Sequence, residues 1–195
     1  MTAPMPVKLN IGCGQDIREG YVNIDGADLP GIDFKVDLDA CATTPLPLPD
    51  NHFQELELVH VLEHLYHPLP LMQELYRIAA PGARLHVKVP HVGHDDAWVD
   101  PTHVRGITPM TFGYFGQPKY VDMDYGYTGD WRVAKCDLIV LRDVFDRIGR
   151  HKMLEAVVLY RNVAKEIIVE LIAEKPARPR DKTLDTPIGY TIVPV

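Results

Sequence analysis

The sequence has few features of a nucleic-acid-binding, membrane or exported protein. Its 195 residues carry 20 Lys and Arg against 27 Asp and Glu, a formal net charge of −7, and no run of basic residues. Binding to nucleic acid needs a concentrated basic face, so nucleic acid is not the expected partner. No stretch of eighteen apolar residues is present, and the first residues lack the pattern of a signal peptide. We therefore expect neither membrane insertion nor classical export.

Cysteine is also scarce. Cys13, Cys41 and Cys136 are odd in number, widely spaced and form no C-x-x-C pair. This pattern predicts free thiols in a reducing compartment, and we expect a cytoplasmic protein. The length suits one domain better than two, and we assign that domain to residues 1–175. Residues 176–195 are rich in proline and charge, which predicts an extended tail with little to bury.

A glycine-containing turn lies between two short apolar segments near the start of the chain. Residues 7–11 predict a buried strand, after which Gly12 and Gly14 permit a sharp turn and leave room for a ligand. Residues 21–24 predict a second strand, which ends at Asp25. A carboxylate there can accept hydrogen bonds from both hydroxyls of a ribose. The pair of features therefore indicates a nucleoside cofactor.

The spacing of this turn argues against a dinucleotide. A dinucleotide site uses G-x-G-x-x-G, a full helix facing pyrophosphate, and an acid about 20 residues further on. Here Ile17 stands where the third glycine should be, and Asp25 comes too early for a full helix. A cofactor with ribose but no phosphate fits better, and S-adenosylmethionine is the common one. An ordinary tight turn between two strands is the alternative.

The remaining apolar pattern predicts an α/β fold. Further strands are predicted at residues 32–36, 53–59, 84–89, 133–141 and 166–173, with a helix over 69–80 that stops at Pro81-Gly82 and helical periodicity between the last two strands. This alternation implies a mostly parallel, seven-stranded sheet with helices on both faces. Ligands bind beyond the carboxyl ends of such strands. The residues predicted at that edge are Gly12, Asp25, Asp37, His60 and His91.

Residues 91–115 hold an unusual density of chemically active side chains. They are His91, His94, Asp95, Asp96, Asp100, His103, Arg105, Thr108 and Tyr114. A long irregular segment beside a cofactor edge is typical of a functional loop or lid, so we assign residues 91–130 to the acceptor side. Residues 113–129 predict a flexible loop or hairpin. Six nearby aromatic residues could stack on a sugar or pack in the core: Trp98, Tyr114, Tyr120, Tyr125, Tyr127 and Trp131.

Five segments, taken in order, resemble the class I S-adenosylmethionine-dependent methyltransferases. They are residues 9–14 (LNIGCG), 21–25 (YVNID), 47–53 (PLPDNHF), 60–65 (HVLEHL) and 81–85 (PGARL). The chain looks most like a small bacterial branch associated with surface-polysaccharide genes, in which an element like Asp100-Pro101-Thr102-His103 recurs. One departure is Gln54, where the family usually has Asp. The resemblance, which covers residues 7–115, implies a Rossmann-like fold and S-adenosylmethionine as cofactor.

The resemblance also implies roles for individual residues. The cofactor-binding set is Asn10, Gly12, Cys13, Gly14, Asp25, Asp37, Leu38 and His60. Within it the two glycines would lie under the methionine and ribose, and Asp25 would hold the ribose hydroxyls. Asp37 with Leu38 would contact adenine, although a helix-capping or solvated aspartate is an equal alternative. His60 would line the pocket near the sulfonium.

Methyl transfer is an in-line displacement at an activated carbon, so the protein must chiefly align an acceptor and exclude water. A hydroxyl acceptor also benefits from a base, and histidine has a suitable pKa. His103 is the first candidate, His94 and His91 come next, and Asp100 is the orienting partner. We expect a small-molecule or saccharide acceptor, and a homodimer is an option.

Three alternatives remain at this stage. His60-x-x-Glu63-His64 matches a zinc-hydrolase motif in which two His bind zinc and the Glu activates water. His91-x-x-His94 with Asp95 or Asp100 could bind a divalent ion that lowers the pKa of a hydroxyl. A non-catalytic cofactor-binding subunit is the third, because fold does not fix function. Our preferred interpretation assigns no metal.

Overall fold

The structure, a computed structural model, describes residues 4–123 and 125–195. The strands are β1 (Lys8–Ile11), β2 (Val22–Asp25), β3 (Phe34–Lys35), β4 (Phe53–Val59), β5 (Ala79–Pro90), β6 (Trp131–Val140), β7 (Glu166–Ala173) and β8 (Thr191–Pro194). The α-helices are α1 (Pro68–Ile78), α2 (Arg142–Ile148) and α3 (Met153–Leu159). Short 3-10 helices join them. Among the described residues no helix has both the length and the apolar character needed to cross a membrane.

All eight strands form one sheet in the order β3-β2-β1-β4-β5-β7-β6-β8. β1 pairs in parallel with β2 and β4, and β4 pairs in parallel with β5. β7 runs antiparallel to both β5 and β6. The predicted mostly parallel sheet is confirmed. The carboxyl ends of β1 to β5 consequently meet at one edge of the sheet.

The sheet has eight strands, whereas the sequence predicts seven. The additional strand is β8, which comes from the C-terminal tail and pairs in parallel with β6, Leu138 opposite Ile192. The strand β8 is not predicted from the sequence because its short apolar segment lies within a tail whose prolines and charges indicate little burial. The tail finds a partner because β6 would otherwise present an unpaired edge, which another strand can cover.

The tail is also fixed to the body of the protein by a buried ion pair. Asp130 is fully buried, and its Oδ2 accepts hydrogen bonds from the backbone N (2.7 Å) and Nε (2.9 Å) of Arg178. Its Oδ1 accepts from Nη2 of Arg178 (2.7 Å) and from the backbone N of Gln117 (3.0 Å). The hydrogen bond to Asp130 raises the pKa of Arg178. The segment before β6 and the tail are thus held at one carboxylate.

Several predicted boundaries agree with the structure and one does not. β4 and β7 coincide with the predicted strands 53–59 and 166–173. The predicted helix 69–80 is α1, whose apolar residues Leu71, Leu75 and Ile78 are buried in the core. The predicted stop at Pro81-Gly82 is wrong, because β5 begins at Ala79, five residues before the predicted strand. Phe53 pairs with Ala79 and Glu55 with Arg84, so a register shift lets β5 continue across the Pro-Gly dipeptide.

The prediction of a flexible loop or hairpin at residues 113–129 is wrong for its first part, which is helical. Residues 120–123 and 125–129 lie in no helix or strand, and Asp124 lies outside the described residues. Residues Pro109–Phe115 and Gln117–Lys119 form 3-10 helices. Tyr120 and Tyr127 are buried, and the Tyr127 hydroxyl donates to the carbonyl of Phe115 (3.0 Å). The burial of these two aromatic side chains anchors the segment to the core, while Tyr114 and Tyr125 remain exposed.

Candidate functional site

A cavity of about 540 Å³ opens at the carboxyl ends of β1, β2 and β4, a size typical of small-molecule sites. Its walls are Gly12, Asp25, Gly26, Val36, Asp37, Leu38, Asp39, His60, Val61, His64 and Leu65. Four of the five residues predicted at this edge line the cavity, and His91 does not. Gly26, Val36, Asp39, Val61 and Leu65 also line it, although the sequence analysis assigned them no role. The one signal for them in the sequence is that each lies at a predicted strand end or within six residues after one.

The glycine turn after β1 adopts a backbone conformation that side chains disfavour. Gly12 has a φ of +62° and Gly14 a φ of +51°. A Cβ placed on Gly12 would lie 2.4 Å from Cγ2 of Val61, whereas one on Gly14 would meet no atom within 4 Å. Gly12 is therefore required because Val61 packs against it, and open space lies beyond Gly14.

Asp25 is held in a fixed orientation by two backbone groups. Its Oδ2 accepts a hydrogen bond from the backbone N of Gly14, and its Oδ1 from that of Ala27, both at 2.8 Å. Each carboxylate oxygen can accept two hydrogen bonds, so one acceptor position remains on each oxygen. The side chain lines the cavity and is partly exposed. Two adjacent acceptor positions match the two hydroxyls of a ribose.

Asn10 and Cys13 lie behind the turn and do not line the cavity. The amide Nδ2 of Asn10 donates to the carbonyl of Asp16 (2.7 Å) and to Oδ1 of Asn23 (3.1 Å), which braces the turn. Burial, with a smaller contribution from a nearby carboxylate, raises the pKa of the Cys13 thiol. All three cysteines are buried free thiols.

Asp37 and Asp39 shape the far wall of the cavity. Asp37 Oδ1 accepts from the backbone N of Asp39 (3.0 Å) and so caps the 3-10 helix Leu38–Ala42. The helix-capping role considered for Asp37 is thus present. Asp39 accepts from the backbone N of Tyr66 (3.1 Å) and of His67 (2.8 Å), which ties this wall to the segment after β4.

His60 directly follows the last residue of β4 and lies between two carboxylates. Its φ of +54° is uncommon for a residue other than glycine. Its Nδ1 lies 3.2 Å from Oε1 of Glu63, and its Nε2 lies 3.4 Å from Oε1 of Glu166. The His60 side chain lines the cavity.

The segment after β4 and the acceptor-side loop meet in a cluster of three side chains, Glu63, His64 and His103. One ligand atom from each lies within 4.8 Å of the others, and the two imidazole rings pack edge to face with centroids 4.6 Å apart. His103 does not line the cavity itself, but it packs against His64, which does. Asp100 does not contact it directly but accepts from the hydroxyl of Thr102 (2.7 Å), which contacts Nδ1 of His64.

The zinc-hydrolase motif is not formed. Two histidines four residues apart share one face only on an α-helix, and residues Leu62–His64 are a 3-10 helix that follows the positive φ of His60. Over residues 4–123 and 125–195, one group of side chains could hold a metal ion, and His60 is outside it. The motif's Glu63 and His64 converge instead with His103.

His91 and His94 lie elsewhere. His91 lines a separate cavity of about 430 Å³, its Nδ1 accepts from the backbone N of Gly93 (3.1 Å), and burial lowers its pKa. His94 accepts at Nδ1 from the backbone N of Asp96 (3.1 Å). In the described part of the chain these two histidines form no metal-ligating group with Asp95 or Asp100, contrary to the second alternative.

The six aromatic residues near the acceptor side divide into two groups. Tyr120, Tyr127 and Trp131 are at most 3% exposed and belong to the hydrophobic core. Trp98, Tyr114 and Tyr125 are more than half exposed and remain available to a ligand.

No protein-family model and no curated protein sequence matches the chain. Solved structures do match it. It is similar to an S-adenosylmethionine-dependent methyltransferase from Archaeoglobus fulgidus, with a TM-score of 0.59, 16% identity and 86% of each chain covered. It is also similar to one from Aquifex aeolicus, with a TM-score of 0.51 and 17% identity over 87% of this chain and 84% of that one.

A third similar structure is a methyltransferase from Thermotoga maritima, described as a possible histamine N-methyltransferase, with a TM-score of 0.52 and 12% identity over 88% of this chain and 84% of that one. Identities this low establish the fold and leave the acceptor open. With its strand order and the cavity at the carboxyl ends of its parallel strands, the chain has the Rossmann-like fold of the class I S-adenosylmethionine-dependent methyltransferases.

Proposed function

We propose that the protein is an S-adenosylmethionine-dependent methyltransferase that binds its cofactor in the 540 Å³ cavity. The observation that carries this proposal is Asp25. Its carboxylate is fixed by Gly14 and Ala27, and it keeps one acceptor position on each oxygen at the cavity wall. A carboxylate oriented before the ligand arrives loses little entropy when it binds a ribose.

The turn after β1 favours a cofactor without phosphate. Three of its backbone N–H groups already have acceptors: Cys13 donates to Ile24, Gly14 to Asp25, and Asp16 to Cys13. No helix lies in residues 12–21, so the positive helix end that binds pyrophosphate in dinucleotide sites is missing from this turn. Both facts support a ribose-containing ligand that carries no phosphate at this point.

The remaining walls suit the other parts of the cofactor. Leu38 and Leu65 supply apolar surface for adenine, and the free acceptor capacity of Asp37 could receive the adenine amino group. His60 and Val61 would lie beside the methionine part. When bound, S-adenosylmethionine supplies a methyl carbon activated by a positively charged sulfur.

The acceptor-side residues would align a nucleophile and receive its proton. The carbonyl of Ala97 lies 3.1 Å from Nδ1 of His103 and can only accept, so this nitrogen carries the ring proton and Nε2 is free to act as a base. We infer that the acceptor is a hydroxyl on a sugar or other small molecule. This rests on the resemblance to the surface-polysaccharide branch and on the exposed Trp98, Tyr114 and Tyr125 within the 91–130 segment.

Calorimetric titration with S-adenosylmethionine and S-adenosylhomocysteine tests the proposal. Wild type should bind both, and Asp25→Ala should weaken binding about 100-fold or more, because two hydrogen bonds to a charged group are each worth about 1.5–3 kcal/mol. Asp28→Ala is the matched control, since the Asp28 side chain is 88% exposed in the loop that follows β2, and it should change Kd by less than about twofold.

Asp25→Ala also removes the acceptors of two backbone N–H groups, so its fold must be checked by circular dichroism, and Asp25→Asn retains the side-chain shape. The proposal is refuted if wild type binds neither compound, or if the folded Asp25 variants bind as tightly as wild type.

A further inference from the structure

Glu63 is a buried carboxylate with an unsatisfied oxygen. The residue is 1% exposed, and Oε1 faces Nδ1 of His60 at 3.2 Å. Its Oε2 has no hydrogen-bond partner among the described residues. A buried carboxylate oxygen without a partner is costly, and such groups in native proteins usually have a functional explanation. This oxygen therefore points to a missing ligand.

The hydrogen bonds of His64 leave one of its ring nitrogens free. The hydroxyl of Thr102 has a single proton, which it donates to Oδ1 of Asp100 at 2.7 Å. The same hydroxyl must then accept from Nδ1 of His64, 2.9 Å away. His64 consequently carries its proton on Nδ1, and its Nε2 bears a lone pair.

His103 is arranged in the same way, with Nδ1 donating to the carbonyl of Ala97 and a lone pair on Nε2. Metal-ligating histidines almost always donate the other ring N–H to a carboxylate, a backbone carbonyl or a water, which fixes the tautomer. His103 has such a carbonyl partner, and His64 reaches the carboxylate of Asp100 through the Thr102 hydroxyl. In both rings of the cluster a hydrogen bond at Nδ1 thus leaves Nε2 as the nitrogen that can bind a metal ion.

We propose that Glu63, His64 and His103 bind a divalent cation of the zinc type. Two imidazole nitrogens and one carboxylate oxygen are a ligand set of catalytic zinc, which leaves the fourth position open. One potential ligand atom from each of the three side chains lies within 4.8 Å of the others. Zinc ligands in a tetrahedron are about 3.3 Å apart, so modest side-chain rotation closes the site.

The position of this site gives the cation a role in the reaction. His64 also lines the cofactor cavity, so a cation held by the cluster would lie at the wall of the cavity that the proposed function, on which this role rests, assigns to the methyl donor. An acceptor hydroxyl bound there ionises more readily: its O–H bond breaks, the proton passes to solvent, and the oxygen anion stays on the cation. With the cation bound, the Nε2 lone pair of His103 is occupied, so the role of ligand replaces the role of base that the proposed function gives to His103.

Zinc titration of EDTA-treated, dialysed protein against a chromophoric chelator measures this directly. Wild type should bind one Zn²⁺ per chain, while Glu63→Gln and His103→Gln should each weaken binding at least about tenfold. His151→Gln is the matched control, because it makes the same change at an exposed histidine outside the cluster. If a variant does not fold, NMR of wild type replaces it: Zn²⁺ should shift the ring resonances of His64 and His103 and leave those of His151 unchanged.

The inference is overturned if wild type binds no stoichiometric zinc, if both variants bind it like wild type, or if zinc shifts other histidines instead. Titration with S-adenosylhomocysteine on the same samples separates the two proposals. Zinc binding without cofactor binding would refute the proposed function and support the cation site. Cofactor binding without zinc binding would support the proposed function and refute the cation site.

Discussion

Gly12→Ala tests whether the turn after β1 and the segment after β4 fit together as the structure has them. The added Cβ would lie 2.4 Å from Cγ2 and 3.3 Å from Cγ1 of Val61, at a backbone φ of +62°. Two separate costs follow. One is the left-handed conformation of a residue other than glycine, and the other is the collision with a side chain that is 7% exposed.

The two costs differ in size, and only the collision can be relieved by a second substitution, Val61→Ala. A left-handed alanine costs about 1–2 kcal/mol, and overpacking adds about 1–3 kcal/mol, so Gly12→Ala should lower the free energy of unfolding by about 2–5 kcal/mol. Val61→Ala alone removes two buried methyl groups and should cost about 1.5–3 kcal/mol. In the double variant the collision is gone while the backbone strain remains. Its total cost should therefore be about 1–3 kcal/mol less than the sum of the single costs.

Urea unfolding at 25 °C, followed by circular dichroism, measures all four members of this cycle. Gly14→Ala is the control, because Gly14 has a φ of +51° but no atom within 4 Å of its Cβ position. It should cost only the strain of about 1–2 kcal/mol and combine additively with Val61→Ala. Additivity of Gly12→Ala and Val61→Ala within about 0.5 kcal/mol would refute the packing argument.

Two further predictions concern buried charges. Asp130→Asn should lower the free energy of unfolding by about 3 kcal/mol in the same assay, because Arg178 loses a fully buried partner, whereas Asp122→Asn at a surface ion pair should cost less than about 1 kcal/mol. Equal effects would contradict the role of the buried pair. Burial, then the charge of His94, lowers the pKa of His91 below its usual 6.5, so the unfolded chain binds the proton more readily. The contribution of neutral His91 to the free energy of unfolding should be complete above pH 6.5 and be lost as the pH falls from 6.5 through the folded pKa, by at most about 1.4 kcal/mol per pH unit. His91→Gln should flatten this pH dependence, and a profile that the substitution leaves unchanged would contradict the prediction.

Much of the fold follows from local pattern. The alternation of short apolar strands with turns predicts β1, β2, β4 and β7 closely, because strand period and turn residues are encoded within a few residues. The same pattern places Gly12, Asp25, Asp37 and His60 at strand ends, and parallel pairing then brings them to one cavity. The strand β8 and the early start of β5 were missed because each depends on a pairing partner far away in sequence.

The sequence by itself determined the sheet class, the glycine turn and the acid at the end of β2, since these require only backbone conformation and the order of strands. Only the tertiary structure decided that Val61 occupies the space over Gly12, and that His64 and His103 converge on the buried carboxylate of Glu63. The physical reason is that side-chain convergence depends on how distant segments pack. The spacing in His60-x-x-Glu63-His64 suggested a local metal motif, but the 3-10 conformation of Leu62–His64 turned two of its members toward another loop.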